Sequence, residues 1–469
     1  MKIEQIYTGC LAQGAYYIES EGEVAIIDPL REVQPYIDRA DKDNAKIKYI
    51  LETHFHADFV SGHVTLSKRT GAPIVYGKNA NPSFEAIITE DGQEFSLGKL
   101  TIVAIHTPGH TMESTTYLLK DEEGKNYALF TGDTLFLGDV GRPDLAQKAA
   151  SMTQEQLAAT LFHSLRTKIM PLENELIVYP GHGAGSACGK NLSKETTGTL
   201  GGQKENNYAL RADMTEAEFV KEVTDGLLPP PQYFPLNVKM NKEGYEDISE
   251  VIAQGTHELT PQELENLANE TGALVLDVRT QEEFATGHIP QSIFIGIDGG
   301  FAPWVGALIG DVEQPIVLVI PEGREEETIT RLSRVGFDHT LGYLKGGFES
   351  WIQAGKEYDT VQQILATDLE DVLTDNLPIF DVRKHTEFLS ERIPQAKNTP
   401  LDVLNSHLED FPEKENFYIH CAGGYRSMIA ASILKSRGIH NFVDIMGGFA
   451  AIKESDISTT AYVCPSTLS

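Results

Sequence analysis

The segment THFHADFVSGH, residues 53–63, decides the fold that we assign to the first half of the chain. It follows KIKYIL, an apolar run that predicts a buried strand, and it places His54, His56 and Asp58 in the loop after that strand. A strand fixes the residues at its end, while the loop leaves their side chains accessible. Phe59 interrupts this series of potential metal ligands, because phenylalanine has no lone pair to donate. Its presence therefore bears on which metal the loop could bind.

Further strand ends in the N-terminal half carry the same residue types. Among the apolar segments that predict strands, LTIVAIHTPGH ends in His110, NYALFTGDTLF contains Asp133 and ELIVYPGHG contains His182. Imidazole and carboxylate groups at successive strand ends can converge on one cation. The pattern therefore predicts a metal site. LLPPPQYFPLNV, residues 227–238, is predicted to close this domain, because its four prolines continue neither a helix nor a central strand.

The second half of the chain contains an internal repeat. LVLDVRTQEEFATGHIPQS, residues 274–292, matches PIFDVRKHTEFLSERIPQA, residues 378–396, and a GGF motif follows each copy. Each copy shows a strand, the DVR motif, a helix and a further strand, so the repeat predicts two small α/β domains with parallel sheets. The predicted chain is thus an α/β multidomain protein. Its three predicted domains span residues 1–245, 255–358 and 362–469.

The later copy carries a candidate nucleophile. NFYIHCAGGYRSMIAASILKSRG predicts a strand, a loop from Cys421 to Arg426 and a helix that begins at Ser427. Gly423 and Gly424 let the loop curl around the sulfur, so that backbone N–H groups and the positive end of the helix favour a thiolate. We therefore predict that Cys421 is catalytic and that Arg426 provides a fixed positive charge beside it.

The earlier copy lacks this nucleophile. Aligning IVLVIPEGREEETI with NFYIHCAGGYRSMI places Pro321 opposite Cys421, and proline has neither a thiol nor a backbone N–H group. Arg324 is offset from the arginine of the later copy, and the glutamates that follow it would repel an anion. We therefore predict that the middle domain is inactive in sulfur chemistry.

The composition excludes several classes of protein. The chain has 469 residues, of which 41% are hydrophobic and 23% charged, and its apolar runs are too short to span a bilayer. A formal net charge of −31 disfavours binding to nucleic acid or to acidic membrane surfaces. The four widely spaced cysteines suit a reducing compartment, and the N-terminal residues show no export signal. We therefore expect a cytoplasmic protein that binds neither nucleic acid nor membranes.

The histidine and aspartate pattern of the first half resembles that of the metallo-β-lactamase superfamily. The family motif reads HxHxDH, and here His54, His56 and Asp58 match it, while Phe59 stands at the position of the final histidine. The resemblance implies an αββα sandwich with a metal site at the strand ends. The family usually binds two metals, and the missing histidine implies that the second metal position is lost.

Within this superfamily, the segments HADFVSGH and GDVGRPDL resemble the bacterial persulfide dioxygenases. The resemblance implies one Fe(II) per chain, held by His54, His110 and Asp133. Two imidazoles and one carboxylate are typical of non-haem iron oxygenases. Three further residues would orient the ligands or donate hydrogen bonds: His56, Asp58 and His182.

Besides Gly423 and Gly424 of the sulfur loop, two residues of the first half are candidates for substrate binding. Arg142 could form a structural ion pair with Asp144 in GRPDL, or it could bind a substrate carboxylate with two hydrogen bonds. Cys188 follows the last histidine segment in GHGAGSACGKN, so it could place a thiol near the substrate, or it could be a small buried packing residue. Both alternatives remain open at this point.

The repeats resemble rhodanese, a sulfurtransferase that carries sulfur as a cysteine persulfide. Cysteine phosphatases place five residues between cysteine and arginine, whereas four separate Cys421 from Arg426. The whole chain resembles the bacterial fusions of a persulfide dioxygenase with an inactive and an active rhodanese domain. That resemblance implies oxidation of a low-molecular-weight thiol persulfide by O₂ to sulfite and thiol, and transfer of sulfur between persulfide, sulfite and thiosulfate. It also implies a homodimer or homotetramer.

Two alternatives stay open at the level of sequence. The chain could be a dinuclear zinc thioester hydrolase of the glyoxalase II type, in which a metal-bound hydroxide attacks the substrate. It could also be a sulfur carrier without catalytic turnover. Phe59 argues against the dinuclear alternative.

Overall fold

A computed structural model describes residues 1–190, 192–227 and 229–464 of the chain. The chain divides into two compact units, of which the first comprises residues 1–248 with 333–336. The second comprises residues 249–332 and the chain from residue 337 onward. Within the described residues, every helix is too short or too polar to cross a lipid bilayer.

Two six-stranded sheets form the centre of the first unit. The first sheet has β1 (Lys2–Thr8), β2 (Gln13–Ser20), β3 (Glu23–Ile27), β4 (Lys46–Leu51), β5 (Ile74–Tyr76) and β6 (Ile87–Ile88), in that spatial order. The second has β7 (Gln93–Leu97), β8 (Leu100–His106), β9 (Thr115–Lys120), β10 (Asn126–Gly132), β11 (Ile177–Pro180) and β12 (Gly198–Thr199), also in sequence order. The strands predicted from the apolar segments are confirmed.

Helices cover the outer face of each sheet. They are α1 (Gln34–Lys42), α2 (His63–Thr70), α3 (Gln147–Ala150), α4 (Gln154–Ser164), α5 (Leu200–Asn206), α6 (Glu216–Thr224) and α7 (Phe234–Glu243), with a π-helical turn at Leu165–Ile169 and a 3₁₀ turn at Tyr208–Leu210. In β2, Tyr16 and Ile18 face the core between the sheets, whereas Ala15 and Tyr17 face the cluster with α1 and α2. This alternation follows from the two-residue period of a strand. The predicted αββα sandwich is confirmed.

The proline-rich segment contributes a helix that the sequence analysis missed. Residues 234–243 form α7, and Pro235 lies in its first turn, where the absent N–H group has no helical partner to lose. The Asn241 amide donates 2.8 Å hydrogen bonds to the backbone carbonyls of His56 and Phe59, and its oxygen accepts one from the Ser61 N–H group. Through Asn241, helix α7 therefore holds in place the loop that carries His54 and His56.

Two five-stranded parallel sheets form the second unit, as the repeat predicted. The first repeat orders its strands β13-β17-β16-β14-β15, and the second orders them β18-β22-β21-β19-β20. The strands of the first repeat are β13 (Glu258–Leu259), β14 (Leu274–Asp277), β15 (Ile293–Phe294), β16 (Ile316–Val319) and β17 (Thr340–Leu344). Those of the second are β18 (Gln363–Ile364), β19 (Ile379–Asp381), β20 (Lys397–Asn398), β21 (Phe417–His420) and β22 (Phe442–Ile445).

Helices connect these parallel strands. Those before and within the first repeat are α8 (Ile248–Gly255), α9 (Pro261–Thr271), α10 (Gln281–Thr286), α11 (Phe301–Leu308), α12 (Glu325–Arg334) and α13 (Gly347–Gln353). Those of the second are α14 (Ala366–Glu370), α15 (His385–Ser390), α16 (Tyr425–Ser436) and α17 (Gly448–Lys453), with 3₁₀ turns at Leu401–Ser406 and Leu408–Asp410. Each repeat is thus a small α/β unit, as predicted.

The strand registers fix how the two repeats correspond. Asp277 of β14 pairs with Val319 of β16, and Asp381 of β19 pairs with His420 of β21. Both aspartates belong to the repeated DVR motif, so Val319 and His420 occupy the same position in the two sheets. The residues that follow these two strands therefore also correspond.

The position that corresponds to Cys421 is therefore Ile320. The prediction that placed Pro321 there was wrong by one residue, because two apolar strands can be aligned in adjacent registers and only the pairing in the sheet distinguishes them. Counted without a gap, this correspondence places Glu325 opposite Arg426, whereas the helix starts, at Glu325 and Tyr425, place Glu326 there; both are glutamates. The first repeat thus has neither a thiol nor a cation at the two positions that define the loop of the second.

Candidate active sites

Three side chains at strand ends of the first unit converge on one point. Nε2 of His54 lies 3.9 Å, and Nε2 of His110 lies 3.6 Å, from Oδ2 of Asp133. The three potential ligand atoms all lie within 4.8 Å of one another, and all three residues are buried. These are the residues that the sequence analysis proposed as metal ligands, and the structure brings them together.

A short hydrogen-bond chain orients the first imidazole. Oγ1 of Thr53 donates to Oδ2 of Asp28 at 2.9 Å and lies 2.9 Å from Nδ1 of His54. Because the hydroxyl proton is used for Asp28, the hydroxyl oxygen accepts the Nδ1–H of His54, and Nε2 is left with its lone pair toward Asp133. Burial lowers the pKa of His54 well below its ordinary value. The ring is therefore a neutral donor.

The second imidazole is oriented by a backbone carbonyl. Nδ1 of His110 lies 2.9 Å from the carbonyl oxygen of Arg142, so it donates there and leaves Nε2 as the lone-pair atom. Gly141 permits this close approach, because a Cβ atom at that position would lie 2.0 Å from the carbonyl oxygen of Asp133 and 2.9 Å from Nδ1 of His110. The glycine and arginine of GRPDL thus shape the site through the backbone.

The carboxylate of Asp133 uses its two oxygens differently. Oδ1 accepts a 2.8 Å hydrogen bond from Nδ1 of His182, whereas Oδ2, which faces the two imidazoles, has no hydrogen-bond partner among the described residues. Burial would raise the pKa of Asp133, but the neighbouring histidines, His182 foremost, lower it below its ordinary value. A buried anionic oxygen opposite two neutral lone pairs matches the donor set of a divalent metal ion.

His56 does not join this group. Its Nε2 lies 3.1 Å from Oδ1 of Asp28 and 3.6 Å from Oε2 of Glu52, and its ring packs against Phe59 with centroids 4.3 Å apart. His54 and His56 are thus neighbours with separate carboxylate partners. The sequence predicts His56 as a supporting residue but does not indicate the two carboxylates that accompany it.

A second group of potential ligands adjoins the first. Nε2 of His182 lies 2.8 Å from Oδ2 of Asp58, and the ligand atoms of Asp58, His182 and Cys188 lie within 4.8 Å of one another. Cys188 is buried, and burial together with Asp58 and Asp133 raises the pKa of its thiol well above the ordinary value. Cys188 is thus a buried residue whose thiol, protonated at neutral pH, lies beside the candidate metal ligands, and substrate binding by Cys188 remains a prediction.

Arg142 is held in an ion pair. Its Nε and Nη2 atoms donate to the two carboxylate oxygens of Asp144 at 2.7 and 2.8 Å, and Nη1 donates to the carbonyl of Ala187 at 3.2 Å. This arrangement is the structural alternative of the two that the sequence left open. Substrate binding by Arg142 remains a prediction.

The second candidate site lies in the second unit, where Cys421 follows β21. The N–H group of Gly424 donates to Sγ of Cys421 at 3.1 Å, and Gly424 has a positive φ of 102°, which a residue with a side chain rarely adopts. Helix α16 begins at Tyr425 rather than at the predicted Ser427, so the loop is shorter than predicted and Arg426 lies in the first helical turn. The loop nevertheless curls around the sulfur as expected.

The GGF turn of the second repeat supports this loop from the other side. The N–H group of Phe449 donates to the carbonyl of Cys421 at 2.7 Å, and that of Ala450 donates to the carbonyl of Ala422 at 2.9 Å. Gly423 is exposed and has open space where a Cβ atom would be, so this position is not sterically restricted to glycine. The turn therefore fixes the backbone on which the thiol is mounted.

Arg426 has a partner that the sequence analysis missed. Its two terminal nitrogens donate to the carboxylate of Glu387 on α15 at 2.7 and 2.9 Å. Burial would raise the pKa of Glu387, but Arg426 lowers it below its ordinary value, so the pair is ionised. Glu387 lies in the repeated segment at the motif TEF, and its counterpart in QEEF is the signal that could have identified it as a repeated position.

Comparison with known proteins gives matches to two families. Residues 8–182 match the Metallo-beta-lactamase superfamily, and residues 260–354 and 363–455 each match the Rhodanese-like domain. The solved structure of a metallo-beta-lactamase from Staphylococcus aureus subsp. aureus COL is 30% identical, with a TM-score of 0.64. The match covers 73% of this chain and 98% of that chain.

Two characterised kinds of relative match the first unit. The cytoplasmic hydroxyacylglutathione hydrolase of Arabidopsis thaliana is 33% identical over 189 residues, which are 39% of this chain and 67% of the relative. The mitochondrial persulfide dioxygenase ETHE1 of Homo sapiens is 29% identical over 221 residues, which are 47% of this chain and 78% of the relative. The comparisons therefore include both a hydrolase and a dioxygenase.

Proposed function

The chain belongs to the metallo-β-lactamase superfamily and carries two rhodanese-like domains after that domain, and on this premise we propose that it is a persulfide dioxygenase fused to a rhodanese sulfurtransferase. In the first reaction, one thiol persulfide, one O₂ and one water give one thiol, one sulfite and two protons. The substrates are low-molecular-weight thiol persulfides. This combination gives the chain two sites that act on the same kind of sulfur.

The observation that carries this proposal is the environment of Phe59. It occupies the position of the last histidine in the superfamily motif, and its ring packs against His56, whose Nε2 lies 3.1 Å from Asp28. Neither residue is therefore placed beside Asp133 as a ligand. The group of His54, His110 and Asp133 then supplies two imidazoles and one carboxylate to one metal, and the separate group of Asp58, His182 and Cys188 lies beside it.

Fe(II) is the metal that we propose for this site. The donors are two neutral imidazoles and one carboxylate, a set associated with non-haem iron oxygenases in which further coordination positions stay open. The partnerless Oδ2 of buried Asp133 supplies the negative charge that such an ion requires. When bound, the iron would supply open positions for persulfide and O₂ and the means to exchange electrons between them.

The protein residues prepare the ligands for this role. Thr53 and the Arg142 carbonyl hold the imidazoles with Nε2 facing inward, and such hydrogen bonds fix both tautomer and ring orientation. His182 holds Oδ1 of Asp133 and is in turn placed beside Asp58. Because these side chains are buried, the protein also excludes bulk water from the ligands. Such supporting contacts commonly change metal affinity or activity by about 10–100-fold.

Cys421 carries out the second reaction in this proposal. Its thiolate attacks the outer sulfur of a persulfide, so that a new S–S bond forms on Sγ while the bond to the carrier thiol breaks and the thiolate of the carrier leaves. Sulfite then attacks the outer sulfur on Cys421, giving thiosulfate and regenerating the thiolate. The N–H group of Gly424, 3.1 Å from Sγ, stabilises the anionic sulfur in both steps.

The metal content and the O₂ uptake of the purified protein test the first activity. Purified anaerobically, the chain should contain about one iron and consume O₂ only when a thiol persulfide is added. Asp133→Ala should abolish this uptake, whereas Asp213→Ala, which alters an exposed carboxylate of the same unit, should leave it unchanged. Two zinc ions per chain, or full uptake by Asp133→Ala, would contradict the proposal.

A second candidate function is supported by the group of Asp58, His182 and Cys188. These residues adjoin the first site and could hold a second metal, as a dinuclear hydrolase of the glyoxalase II type would need, and the Arabidopsis relative is named a hydroxyacylglutathione hydrolase. That enzyme class needs no O₂. Hydrolysis of an acyl-glutathione thioester under anaerobic conditions, together with two bound metals, would favour this function over the dioxygenase.

A further inference from the structure

The first residue of helix α16 contacts the other repeat. Tyr425 belongs to the second repeat, yet its hydroxyl donates a 2.6 Å hydrogen bond to the carbonyl of Gly296 in the first repeat. Its ring meets Phe294 edge to face, with centroids 5.9 Å apart. Burial raises the pKa of Tyr425, so the hydroxyl remains a proton donor. A residue of the active loop region is thus anchored in the repeat that lacks the thiol.

The first repeat has a shaped seat for this ring. A Cβ atom added to Gly299 would lie 2.2 Å from Cζ and 2.4 Å from Cε2 of Tyr425, and one added to Gly296 would lie 3.2 Å from Cε2. Non-bonded carbon atoms in proteins do not approach each other to 2.2 Å, so a Cβ atom at position 299 would force the Tyr425 ring to move. We call Phe294, Gly296 and Gly299 the Tyr425 seat.

Tyr425 is directly connected to the groups that surround the sulfur. The preceding residue, Gly424, donates its N–H group to Sγ of Cys421, and the following residue, Arg426, holds Glu387. The GGF turn fixes the backbone of Cys421 itself, whereas Gly424 lies at the end of the loop that leads into the helix. The position of Tyr425 therefore controls the position of the N–H group that faces the sulfur.

We propose that the first repeat positions the sulfur-binding loop of the second by seating Tyr425. Tyr425 and Gly299 are positioning residues, because they act on Cys421 through the backbone of Gly424 and do not touch the sulfur. This inference rests on the proposed role of Cys421 in sulfur transfer. It gives the repeat without a thiol a specific task in that reaction.

A second contact between the repeats provides a control that separates their mere association from the positioning of the loop. Lys435, near the other end of α16, donates a 2.7 Å hydrogen bond to Asp359 in the segment that joins the repeats. This contact ties the same helix down but is remote in sequence from the loop. Loosening it should weaken the association of the repeats without moving the N–H group of Gly424.

The test compares Gly299→Ala with Gly300→Ala in the full-length protein. Gly299→Ala must displace the Tyr425 ring, whereas a Cβ atom at Gly300 meets only the Trp304 side chain, at 3.3 Å. Neither glycine has a positive φ, so the two substitutions differ in the neighbour and not in backbone strain. Gly299→Ala should lower kcat/KM for sulfur transfer by about tenfold or more, since small displacements of reacting groups have effects of this size.

Alkylation of Cys421 by iodoacetamide, followed by mass spectrometry across a pH series, gives a readout that does not depend on turnover. In Gly299→Ala the rise in alkylation rate should move to higher pH, because the thiolate loses its N–H donor. Gly300→Ala and Lys435→Ala should keep the profile of the original protein. Tyr425→Phe, which keeps the ring, should stay close to that profile, and adding Gly299→Ala to Tyr425→Ala should cause no further change.

The outcomes separate this inference from the proposed function. A folded Gly299→Ala variant with an unchanged alkylation profile would overturn the positioning role. An equal shift in Lys435→Ala would assign the effect to docking and would also overturn it. If the original protein transfers no sulfur at all, the proposed transferase function fails, while the alkylation profiles still decide whether Tyr425 positions the loop.

Discussion

The two rhodanese-like repeats share a scaffold that is nearly identical around the DVR motif. In the first, Nη2 of Arg279 lies 2.5 Å from Oδ2 of Asp277, and in the second the same atoms of Arg383 and Asp381 are also 2.5 Å apart. Each arginine also lies over the phenylalanine of its own GGF turn, at 4.4 and 3.8 Å from the ring centroid. Both repeats therefore keep the buried ion pair that joins the end of β14 or β19 to the late turn.

The difference between the repeats that bears on sulfur chemistry lies in the loop after the central strands, β16 and β21. Ile320 stands where the second repeat has Cys421. A glutamate, Glu325 by unbroken count or Glu326 by helix start, stands where it has Arg426. The rhodanese-like scaffold therefore folds without the residues that carry the sulfur chemistry. Residues that join strand, helix and turn are retained in both copies, whereas those that act on sulfur are present in one.

Replacing the thiol of Cys421 should have the largest effect on sulfur transfer, because it removes the main difference between the two repeats. Cys421→Ser should reduce sulfur transfer to the background rate, because a serine hydroxyl is not ionised at neutral pH and cannot carry a sulfane sulfur. Loading with a thiol persulfide, followed by intact mass measurement, should show no added sulfur on this residue. Metal content should not change.

The reciprocal substitution is the control. Ile320→Cys places a thiol at the corresponding position of the first repeat, but a glutamate, Glu325 or Glu326, lies where the second repeat has its arginine. We expect no transfer in a Cys421→Ser background. Recovery of activity in that double variant would show that the loop of the first repeat is competent and that only the thiol is missing.

The positive charge of Arg426 in the first turn of α16 should have the next largest effect on sulfur transfer. Arg426→Glu should lower kcat/KM for persulfide by about 10²-fold, a typical cost for losing one charge-stabilising donor. The new carboxylate would face Glu387, which now accepts two hydrogen bonds from the arginine, and would repel an anionic sulfur. Steady-state sulfur transfer measures this effect. Glu325→Arg in the first repeat should change kcat/KM for sulfur transfer less than twofold. An equal loss in both variants would contradict the assignment of Arg426 as the cation beside the sulfur.

The sequence predicted the layers of both units and the convergence of the first site for a physical reason. Apolar strands fix the polar residues that follow them, so His54, His110 and Asp133 were expected to converge; they follow β4 of the first sheet and β8 and β10 of the second, and the packing of the two sheets brings them together. The partners of these residues were not predictable. Asn241, for example, lies 185 residues from His56, and only the packing of α7 brings its amide to that loop.

The residue of the first repeat that corresponds to Cys421 could not be predicted from the sequence either. Apolar strands such as IVLV and FYIH contain no residue that distinguishes two neighbouring registers, so Pro321 was aligned with Cys421. Hydrogen bonding to β14 and β19 fixes the register and selects Ile320 instead. The seat of Tyr425 was hidden for a similar reason, because it joins residues of different repeats.

The GGF turns offer a matched pair of glycine substitutions with a smaller expected effect. Gly448 and Gly347 have similar positive φ values of 58° and 60°, so alanine at either should cost about 1–2 kcal/mol in backbone strain. A Cβ atom at Gly448 would in addition lie 2.5 Å from the carbonyl oxygen of Cys421, whereas one at Gly347 would lie 3.8 Å from that of Ile320.

Gly448→Ala should therefore displace the active loop and lower sulfur transfer by about tenfold, and it should be the less stable variant of the pair. Gly347→Ala should lose stability through strain alone and keep its transfer rate within twofold. Thermal unfolding and steady-state transfer, measured side by side, check both statements. Equal activity in the two variants would show that the turn supports the fold of the second repeat but not its loop.

The smallest expected effect concerns a titrating residue that only the second repeat has. Asp444 of β22 corresponds by strand pairing to Tyr343 of β17. Burial raises the pKa of Asp444 from 3.8 to about 6, although hydrogen bonds with Ser427 and Gln363 lower it in part. Since the folded-state pKa is raised, the protonated form is favoured by folding. Its contribution to stability is complete below pH 4 and is lost as the pH rises through about 6.

Asp444→Asn should remove this loss, because asparagine stays neutral and can still accept the hydrogen bond from Gln363. The variant should match the original protein near pH 4 and exceed it at pH 8 by roughly 1–3 kcal/mol in the free energy of unfolding, the size expected for a shift of about two pKa units. Urea denaturation followed by circular dichroism at both pH values measures this difference. Tyr343→Phe in the first repeat should show no such pH-dependent gain, and a gain in Asp444→Asn that is equal at both pH values would mean that ionisation of Asp444 is not its source.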